Sequence, residues 1–156
     1  MLDRTKRQIE GIDKWIAAKC RGTLQWATGT GKTRAGLLAI TRFFNKNPDK
    51  KVVVIVPTEV LQRQWIKLLA DAGFIFNLDV LIINTAIRRP FEATLLVLDE
   101  AHRFGAPSFQ QIFQMCNAPM VLGLTATFER LDGMHEAIAK YCPIVDTITV
   151  KEATLN

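Results

Sequence analysis

The sequence predicts an α/β domain with a mainly parallel central sheet and helices on both faces. Strand-like and helix-like segments alternate along the chain, which is the order that parallel strands joined by helical crossovers require. The run KVVVIV at 51–56 is apolar at successive positions, as expected of a strand covered on both faces of a parallel sheet. No repeat, low-complexity tract or linker interrupts the 156 residues, so we expect a single domain.

Two helices and a strand are predicted before the first clear turn signal. Ile9, Ile12 and Ile16 recur at helical spacing between Lys and Arg residues, a pattern typical of an amphipathic helix. The predicted elements are a helix over 4–19, a strand over 23–27, a helix over 32–45 and a turn at 47–49.

The rest of the chain continues the alternation. Thr58 is a suitable N-cap for a helix that ends at Asp71, with Gly73 just beyond it. Short apolar runs predict strands over 51–56, 80–83, 94–98 and 120–124, with a last, edge strand over 147–150. Further helices are predicted near 108–116 and 133–141.

Composition excludes several classes of protein. The longest apolar run, 52–57, is far shorter than a membrane span needs, and no signal peptide is recognisable. We therefore expect a cytoplasmic protein without a membrane partner. Three scattered cysteines without CxxC spacing, Cys20, Cys116 and Cys142, predict reduced and mostly buried thiols rather than disulfides or a zinc site.

Positive charge is concentrated in the first third of the chain. Residues 1–51 hold twelve Lys and Arg residues against four Asp and Glu residues, within a net charge of +5 for the whole chain. Such a segment suits a polyanion, either nucleic acid or a nucleotide. A solvated, Lys-rich helix face would account for the same charge, so charge is supporting evidence only.

The segment ATGTGKT at 27–33 lies between a predicted strand and a predicted helix, which is the context of a phosphate-binding loop. Gly29 and Gly31 permit backbone conformations that turn successive N–H groups toward one anion. Lys32 can reach the β- and γ-phosphates, and the Thr33 hydroxyl can ligate Mg²⁺. The other loop residues expected around the phosphates are Thr28 and Thr30. Trp26 stands where the simple motif has glycine; the alternative is a Gly/Thr-rich turn that merely precedes a lysine.

Two carboxylates follow the predicted strand over 94–98, at the edge of the sheet where parallel α/β folds bind ligands. Asp99 is placed to hold Mg²⁺ through its water shell, and Glu100 to orient and deprotonate the attacking water. The alternative is a solvated turn with a helix cap. His102 is expected to couple this strand end to the segment 125–127, which contains Thr125 and Thr127.

Four segments occur in this order along the chain: ATGTGKT at 27–33, VPT at 56–58 with Gln64-Trp65, DEAH at 99–102 and LTAT at 124–127. They resemble the motifs of superfamily 2 helicases, most closely the branch of XPB-like and type III restriction-like motors. The resemblance implies a three-layer RecA-like domain of the P-loop NTPase class, which uses ATP and Mg²⁺ to act on nucleic acid. Gln8 fits the upstream glutamine that reads adenine in such proteins.

The same resemblance implies contacts with nucleic acid. Pro57 and Thr58 lie where the family grips the sugar-phosphate backbone, and Thr85 either has a similar part or is a plain helix cap. Arg88 and Arg89 either add electrostatic grip or coat the surface. The XPB-like segments 106–109 and 129–133 favour DNA over RNA. Phe128 in place of proline, and Leu131 within an Arg-Glu-Asp triplet, depart from that branch.

In this family ATP is held between two RecA-like domains, and the second domain supplies a catalytic arginine. No segment like its last motif is found in 1–156. We therefore expect a second RecA-like domain from the parent protein or a partner, and slow hydrolysis by the isolated chain. Alternatives to a helicase are a restriction or remodelling ATPase that translocates without strand separation, a nucleotide-gated binding module and a small-molecule kinase. The intact Lys32, Asp99 and Glu100 argue against a pure binding module.

Overall fold

The computed structural model describes residues 3–126 and 133–154. The strands are β1 (Arg21–Trp26), β2 (Val52–Val56), β3 (Leu78–Ile82), β4 (Leu95–Asp99), β5 (Met120–Thr125) and β6 (Ile144–Ile148). The helices are α1 (Arg4–Ala17), α2 (Lys32–Lys46), α3 (Glu59–Asp71), α4 (Ile83–Ala86), α5 (Ala106–Met115), α6 (Met134–Tyr141) and α7 (Val150–Thr154), with a 3₁₀ turn at Ala101–Arg103.

The strands form one six-stranded sheet in the order β3-β2-β4-β5-β1-β6. Every neighbouring pair is parallel, which confirms the predicted fold class. Because the strands are parallel, their carboxyl ends meet at one edge of the sheet, where ligands bind in this class of fold.

Two hydrophobic cores cover the two faces of the sheet. Alternate residues of β2 point to opposite sides, with Val52 and Val54 in one core and Val53 and Ile55 in the other. Helices α1, α2 and α3 complete the first core, and α4, α5 and α6 complete the second. This three-layer arrangement explains why β2 is apolar at every position and β4 at every position before Asp99.

The start and end of α3 follow the predicted signals. The Thr58 hydroxyl accepts a hydrogen bond from the Leu61 amide at 3.3 Å, so Thr58 is the N-cap. Gly73, just past the helix, has φ 91°, a left-handed conformation that glycine adopts without steric cost.

The predicted strand over 147–150 is wrong in its boundaries, although β6 is an edge strand as expected. The strand ends at Ile148, and Val150 already begins α7. The cause is a local cap: the Thr149 hydroxyl accepts a hydrogen bond from the Glu152 amide at 3.0 Å, and such a bond starts a helix.

The strand predicted over 80–83 also gives way to a helical turn. β3 ends at Ile82, and Ile83–Ala86 form α4. Thr85 is inside this turn and Ile82 occupies the N-cap position, so the interpretation of Thr85 as a helix cap is wrong.

The cysteines follow the prediction: Cys116 and Cys142 are buried, Cys20 is half-buried, and all three are free thiols. Across 3–126 and 133–154, no helix combines the length and the apolar character that crossing a membrane requires.

Candidate nucleotide site

The segment after β1 forms a tight loop that opens α2. Gly29 and Gly31 have φ values of 86° and 90°, both left-handed and therefore suited to glycine. The Thr30 hydroxyl donates to the Ala27 carbonyl at 2.6 Å and closes the loop, while Thr28 is exposed. Gly31 is the N-cap of α2, so the unpaired N–H groups of that helix begin at the loop and favour an anion there.

Lys32 brings the loop and the acidic strand end together. Its side chain is only 8% exposed, and its Nζ lies 3.8 Å from Glu100 Oε1. The same Nζ donates to the Trp26 carbonyl at 3.1 Å. Two segments that are far apart in the sequence are therefore adjacent at the carboxyl edge of the sheet.

Asp99 is the last residue of β4 and is 2% exposed. Burial raises the pKa of its carboxyl group, while a hydrogen bond from Trp65 acts in the opposite direction. That bond joins Trp65 Nε1 to Asp99 Oδ2 at 2.7 Å. Trp65 belongs to a predicted motif but had no predicted role; its indole N–H orients the carboxylate.

The residues here fit a magnesium ion shared with phosphates. Asp99 offers carboxylate oxygen at the sheet edge, and Thr33 offers an exposed hydroxyl in the first turn of α2. Mg²⁺ prefers oxygen ligands and is usually held by one or two carboxylates together with substrate phosphates and water. Within the described ranges no group of three or more His, Cys, Asp or Glu side chains could hold a metal ion by itself.

Glu100, His102 and Thr125 form a chain of polar contacts. Glu100 has a left-handed backbone, with φ 54°, and its Oε2 lies 3.3 Å from His102 Nε2. On the other side of the ring, His102 Nδ1 lies 2.8 Å from Thr125 Oγ1 and accepts from the Ala126 amide at 3.3 Å. Because Nδ1 accepts an N–H, the proton of the neutral ring is on Nε2, facing Glu100. Thr127 lies outside the described residues.

The Gln8 side chain lies against the phosphate loop; its expected contact with adenine stays a prediction. A β-carbon added to Gly31 would overlap the Gln8 side-chain amide. The positive φ of Gly31 favours glycine at this position, and the flexible Gln8 side chain lies directly against it. This contact places an amide with donor and acceptor groups beside the phosphate loop.

The residues expected to contact nucleic acid follow β2 and β3, which are neighbours in the sheet. Pro57 and Thr58 are half-buried and Thr85 is exposed. The Thr58 hydroxyl already caps α3. Arg88 and Arg89 are also exposed. Pro57 and Thr58 directly follow the carboxyl end of β2, and Thr85 lies in the helical turn that follows β3.

A buried ionic cluster beside the loop was missed by sequence analysis. Asp146 of β6 accepts hydrogen bonds from Arg7 at 2.9 Å, from Lys14 at 2.9 Å and from Trp26 Nε1 at 3.0 Å. We call these four residues the Asp146 cluster. Burial alone would raise the pKa of Asp146, but the bonds from Arg7 and Lys14 outweigh it and the pKa is lowered. Trp26, which stands where the simple motif has glycine, is thus a buried hydrogen-bond donor. The one sequence signal for this cluster was an acidic residue, Asp146, within the otherwise mostly apolar stretch PIVDTI.

Comparison with known proteins identifies the family. The model of the family described as type III restriction enzyme, res subunit, matches residues 2–73 and 82–130. The DNA 3'-5' translocase XPB2 of Sulfurisphaera tokodaii is 30% identical over 145 residues, which is 83% of this chain and 32% of that protein. QP509L of African swine fever virus, named as a candidate ATP-dependent RNA helicase, is 35% identical over 160 residues, covering 84% of this chain and 30% of that protein.

Solved structures share the fold. The UvsW helicase from bacteriophage T4 superimposes with a TM-score of 0.70 at 18% identity, covering 92% of this chain and 58% of that chain. The Sulfolobus solfataricus SWI2/SNF2 ATPase core, solved with double-stranded DNA, gives a TM-score of 0.68 at 16% identity, covering 88% of this chain and 35% of that chain. The chain thus spans about a third of the length of the two sequence relatives.

The matched family model, the two relatives and the fold agree with the four ordered motifs, and the chain belongs to the type III restriction enzyme res subunit family, as a RecA-like domain of the superfamily 2 helicases.

Proposed function

We propose that this chain is the ATP-binding motor domain of a nucleic-acid helicase or translocase, which couples ATP hydrolysis to movement on, or unwinding of, DNA. The observation that carries the proposal is the 3.8 Å separation of Lys32 Nζ and Glu100 Oε1. A phosphate-binding lysine beside a strand-end carboxylate is the arrangement that phosphoryl transfer to water requires.

Each residue of the site has a role in this proposal. The backbone N–H groups of 28–33 and Lys32 bind the phosphates. Asp99 and the Thr33 hydroxyl would hold Mg²⁺, which supplies neutralising charge for the phosphates when bound. Glu100 orients the attacking water and accepts its proton. Gln8 pairs with the adenine base.

His102 is proposed to relay the state of the nucleotide to the neighbouring strand. It contacts Glu100 on one side and Thr125 on the other. A change at Glu100 during hydrolysis would therefore reach Thr125 and Ala126 through these contacts. Thr127, the next residue, is proposed to take part in the same coupling.

Nucleic acid is proposed to lie along the carboxyl edge of β2 and β3, held by Pro57, Thr58 and Thr85. Contacts there would go to phosphate and sugar, so binding would be strong but independent of sequence. DNA is favoured because XPB2 is named a DNA translocase and the SWI2/SNF2 core was solved with DNA. RNA is the alternative that the name of QP509L supports.

A second candidate function is that of a restriction or remodelling ATPase that translocates without separating strands. The description of the matched family model favours it. The two candidates differ in the products of a protein that combines this chain with a second RecA-like domain. A helicase releases a labelled strand from a forked duplex, whereas a translocase only displaces a bound third strand from an intact duplex.

Nucleotide binding by the chain itself is tested with Lys32→Ala. Because Lys32 supplies a charged donor to the phosphates, its loss is expected to weaken binding of a fluorescent ATP analogue with Mg²⁺ by roughly 10- to 100-fold. Lys46→Ala is the matched control, since Lys46 is exposed in the last turn of the same helix. Equal affinities of the two variants would contradict the proposed site.

A further inference from the structure

The Asp146 cluster joins three elements that are distant in the sequence. Asp146 belongs to β6, Trp26 to β1, and Arg7 and Lys14 to α1. The Arg7 guanidinium also donates to the Thr147 carbonyl at 3.2 Å and lies 5.5 Å from the centre of the Trp26 ring. α1 is therefore held to β1 and β6 by directional contacts.

Net stability is a poor explanation for this arrangement. The Asp146 and Arg7 side chains are 2% and 14% exposed, and removing such charges from water costs as much as their attraction returns. The geometry of the fork between guanidinium and carboxylate is specific, however. A buried pair of this kind can fix the position of one element against another.

The element that the cluster fixes carries Gln8. Arg7 is the residue before Gln8, and Trp26 is the last residue of the strand that leads into the phosphate loop. The Gln8 amide in turn packs on Gly31. Arg7 binds Asp146 from the first turn of α1, next to Gln8. The cluster thus sets the distance between the Gln8 amide and the phosphate loop.

We propose that the Asp146 cluster is a positioning device for base selection: it holds Gln8 where its amide can pair with adenine and not with guanine. This inference rests on the proposed ATP site. A glutamine amide offers one acceptor and one donor edge, which match the amino group and N7 of adenine. Guanine presents acceptors at both positions, so the Gln8 carbonyl oxygen would be left unpaired.

The choice between adenine and guanine depends on where the Gln8 amide lies, whereas binding of the triphosphate group does not depend on Gln8. The phosphates are proposed to be held by the loop and Lys32, which begin after Trp26. A shift of α1 would therefore remove the advantage of adenine and leave the shared triphosphate contacts in place. This difference separates a positioning role from a general loss of structure.

Asp146→Asn tests the inference, with dissociation constants measured for ribose-labelled fluorescent ATP and GTP analogues. The affinity for ATP is expected to fall about tenfold, as one lost hydrogen-bonding interaction predicts, and the affinity for GTP to change less than about twofold. Asp13→Asn is the matched control. Asp13 lies on α1, as Arg7 and Lys14 do, but it is exposed and its ion pair with Arg42 of α2 is at the surface. Its ratio of ATP to GTP affinity should equal that of the unmodified chain.

The possible outcomes separate the two proposals. Equal losses of ATP and GTP affinity in Asp146→Asn, or an unchanged ratio, would overturn the positioning role, as would an unmodified chain that does not prefer ATP. An unmodified chain with no Lys32-dependent binding of either nucleotide would overturn the proposed function instead. If Asp146→Asn does not fold, Arg7→Lys is the second variant, because it keeps the positive charge but cannot bond both carboxylate oxygens at once. It should lower the ratio of ATP to GTP affinity by an intermediate amount.

Discussion

At the scale of single residues, the site combines groups that are costly to bury. Asp99 is almost fully buried and the pKa of its carboxyl group is raised, mainly by burial. A folded-state pKa above the unfolded one means that stability falls as the pH rises through the interval between them. Trp65 reduces this cost because its indole N–H stabilises the ionised carboxylate.

Trp65→Phe is expected to cost more stability than Trp15→Phe at neutral pH. Both tryptophans are buried, and both donate Nε1–H, Trp65 to the Asp99 carboxylate and Trp15 to the Val121 carbonyl at 2.8 Å. The two variants lose similar ring volume, so the difference between their free energies of unfolding reflects the charge of the acceptor that Trp65 loses. This difference should be about 1 kcal/mol. Denaturant unfolding of both variants measures it.

The pH dependence provides the control for this prediction. Trp65 stabilises the ionised form of Asp99, so its extra contribution is present above the folded-state pKa and is lost as the pH falls through it. A difference between the variants that persists unchanged into acid would show that packing, not the carboxylate, is responsible.

Candidate site residues could be proposed from the sequence where the chemistry requires fixed residue types at short spacing. Lys32, Asp99 and Glu100 were proposed in this way, because phosphate and Mg²⁺ binding impose such patterns, and the structure brings Lys32 and Glu100 together. The pair of Arg7 and Asp146 was not, since its members are 139 positions apart in the sequence and meet only when α1 and β6 flank β1.

At the scale of elements, α1 is fitted closely against β1. Gly11, in the middle of the helix, is buried, although glycine costs about 1 kcal/mol there relative to alanine. A β-carbon at this position would overlap the Trp26 ring and lie 3.2 Å from Asp146 Oδ2. The glycine is therefore explained by space, not by backbone conformation.

Gly11→Ala is expected to destabilise the chain by roughly 1–3 kcal/mol, because overpacking against Trp26 exceeds the gain in helix propensity. Thermal or denaturant unfolding measures the change. Glu10→Ala is the neighbouring control, since Glu10 is exposed on the same helix, and its effect should stay within about 0.5 kcal/mol. A Gly11→Ala chain more stable than the unmodified one would contradict the close fit of α1.

Element types were predicted better than their ends. Helix α3 had both a cap and a terminal glycine in the sequence, and its bounds were correct. β6 and α7 were confused because the run TITV is rich in β-branched residues, while the competing signal, a threonine three residues before Glu152, was overlooked. Local capping decided the structure there.

At the scale of the whole molecule, the fold class followed from alternation of strands and helices, but the strand order did not. The order places β5 between β1 and β4, so the phosphate loop and the acidic strand end lie two strands apart at one sheet edge. Long-range pairing of this kind is not encoded in local periodicity. It nevertheless determines that Lys32 and Glu100 meet.

The chain supplies groups for only one side of a nucleotide in the proposed mechanism, and this leads to a prediction about rate. We expect residues 1–156 to bind ATP with Mg²⁺ but to hydrolyse it slowly, whether or not DNA is present. An arginine supplied from a second domain is worth about 10³–10⁵ in rate in related phosphoryl-transfer systems. Phosphate release by the chain alone, compared with a longer parent protein that contains a second RecA-like domain, measures this difference.

Glu100→Gln in that longer protein is the control for the chemical step. The variant should retain ATP binding, because the loop and Lys32 are unchanged, and should lose hydrolysis, because an amide cannot accept the proton of the attacking water. Brisk, DNA-stimulated hydrolysis by residues 1–156 alone would show that the site needs no second domain. An unchanged rate in Glu100→Gln would instead remove Glu100 from the mechanism and leave its contacts with Lys32 and His102 as structural ones.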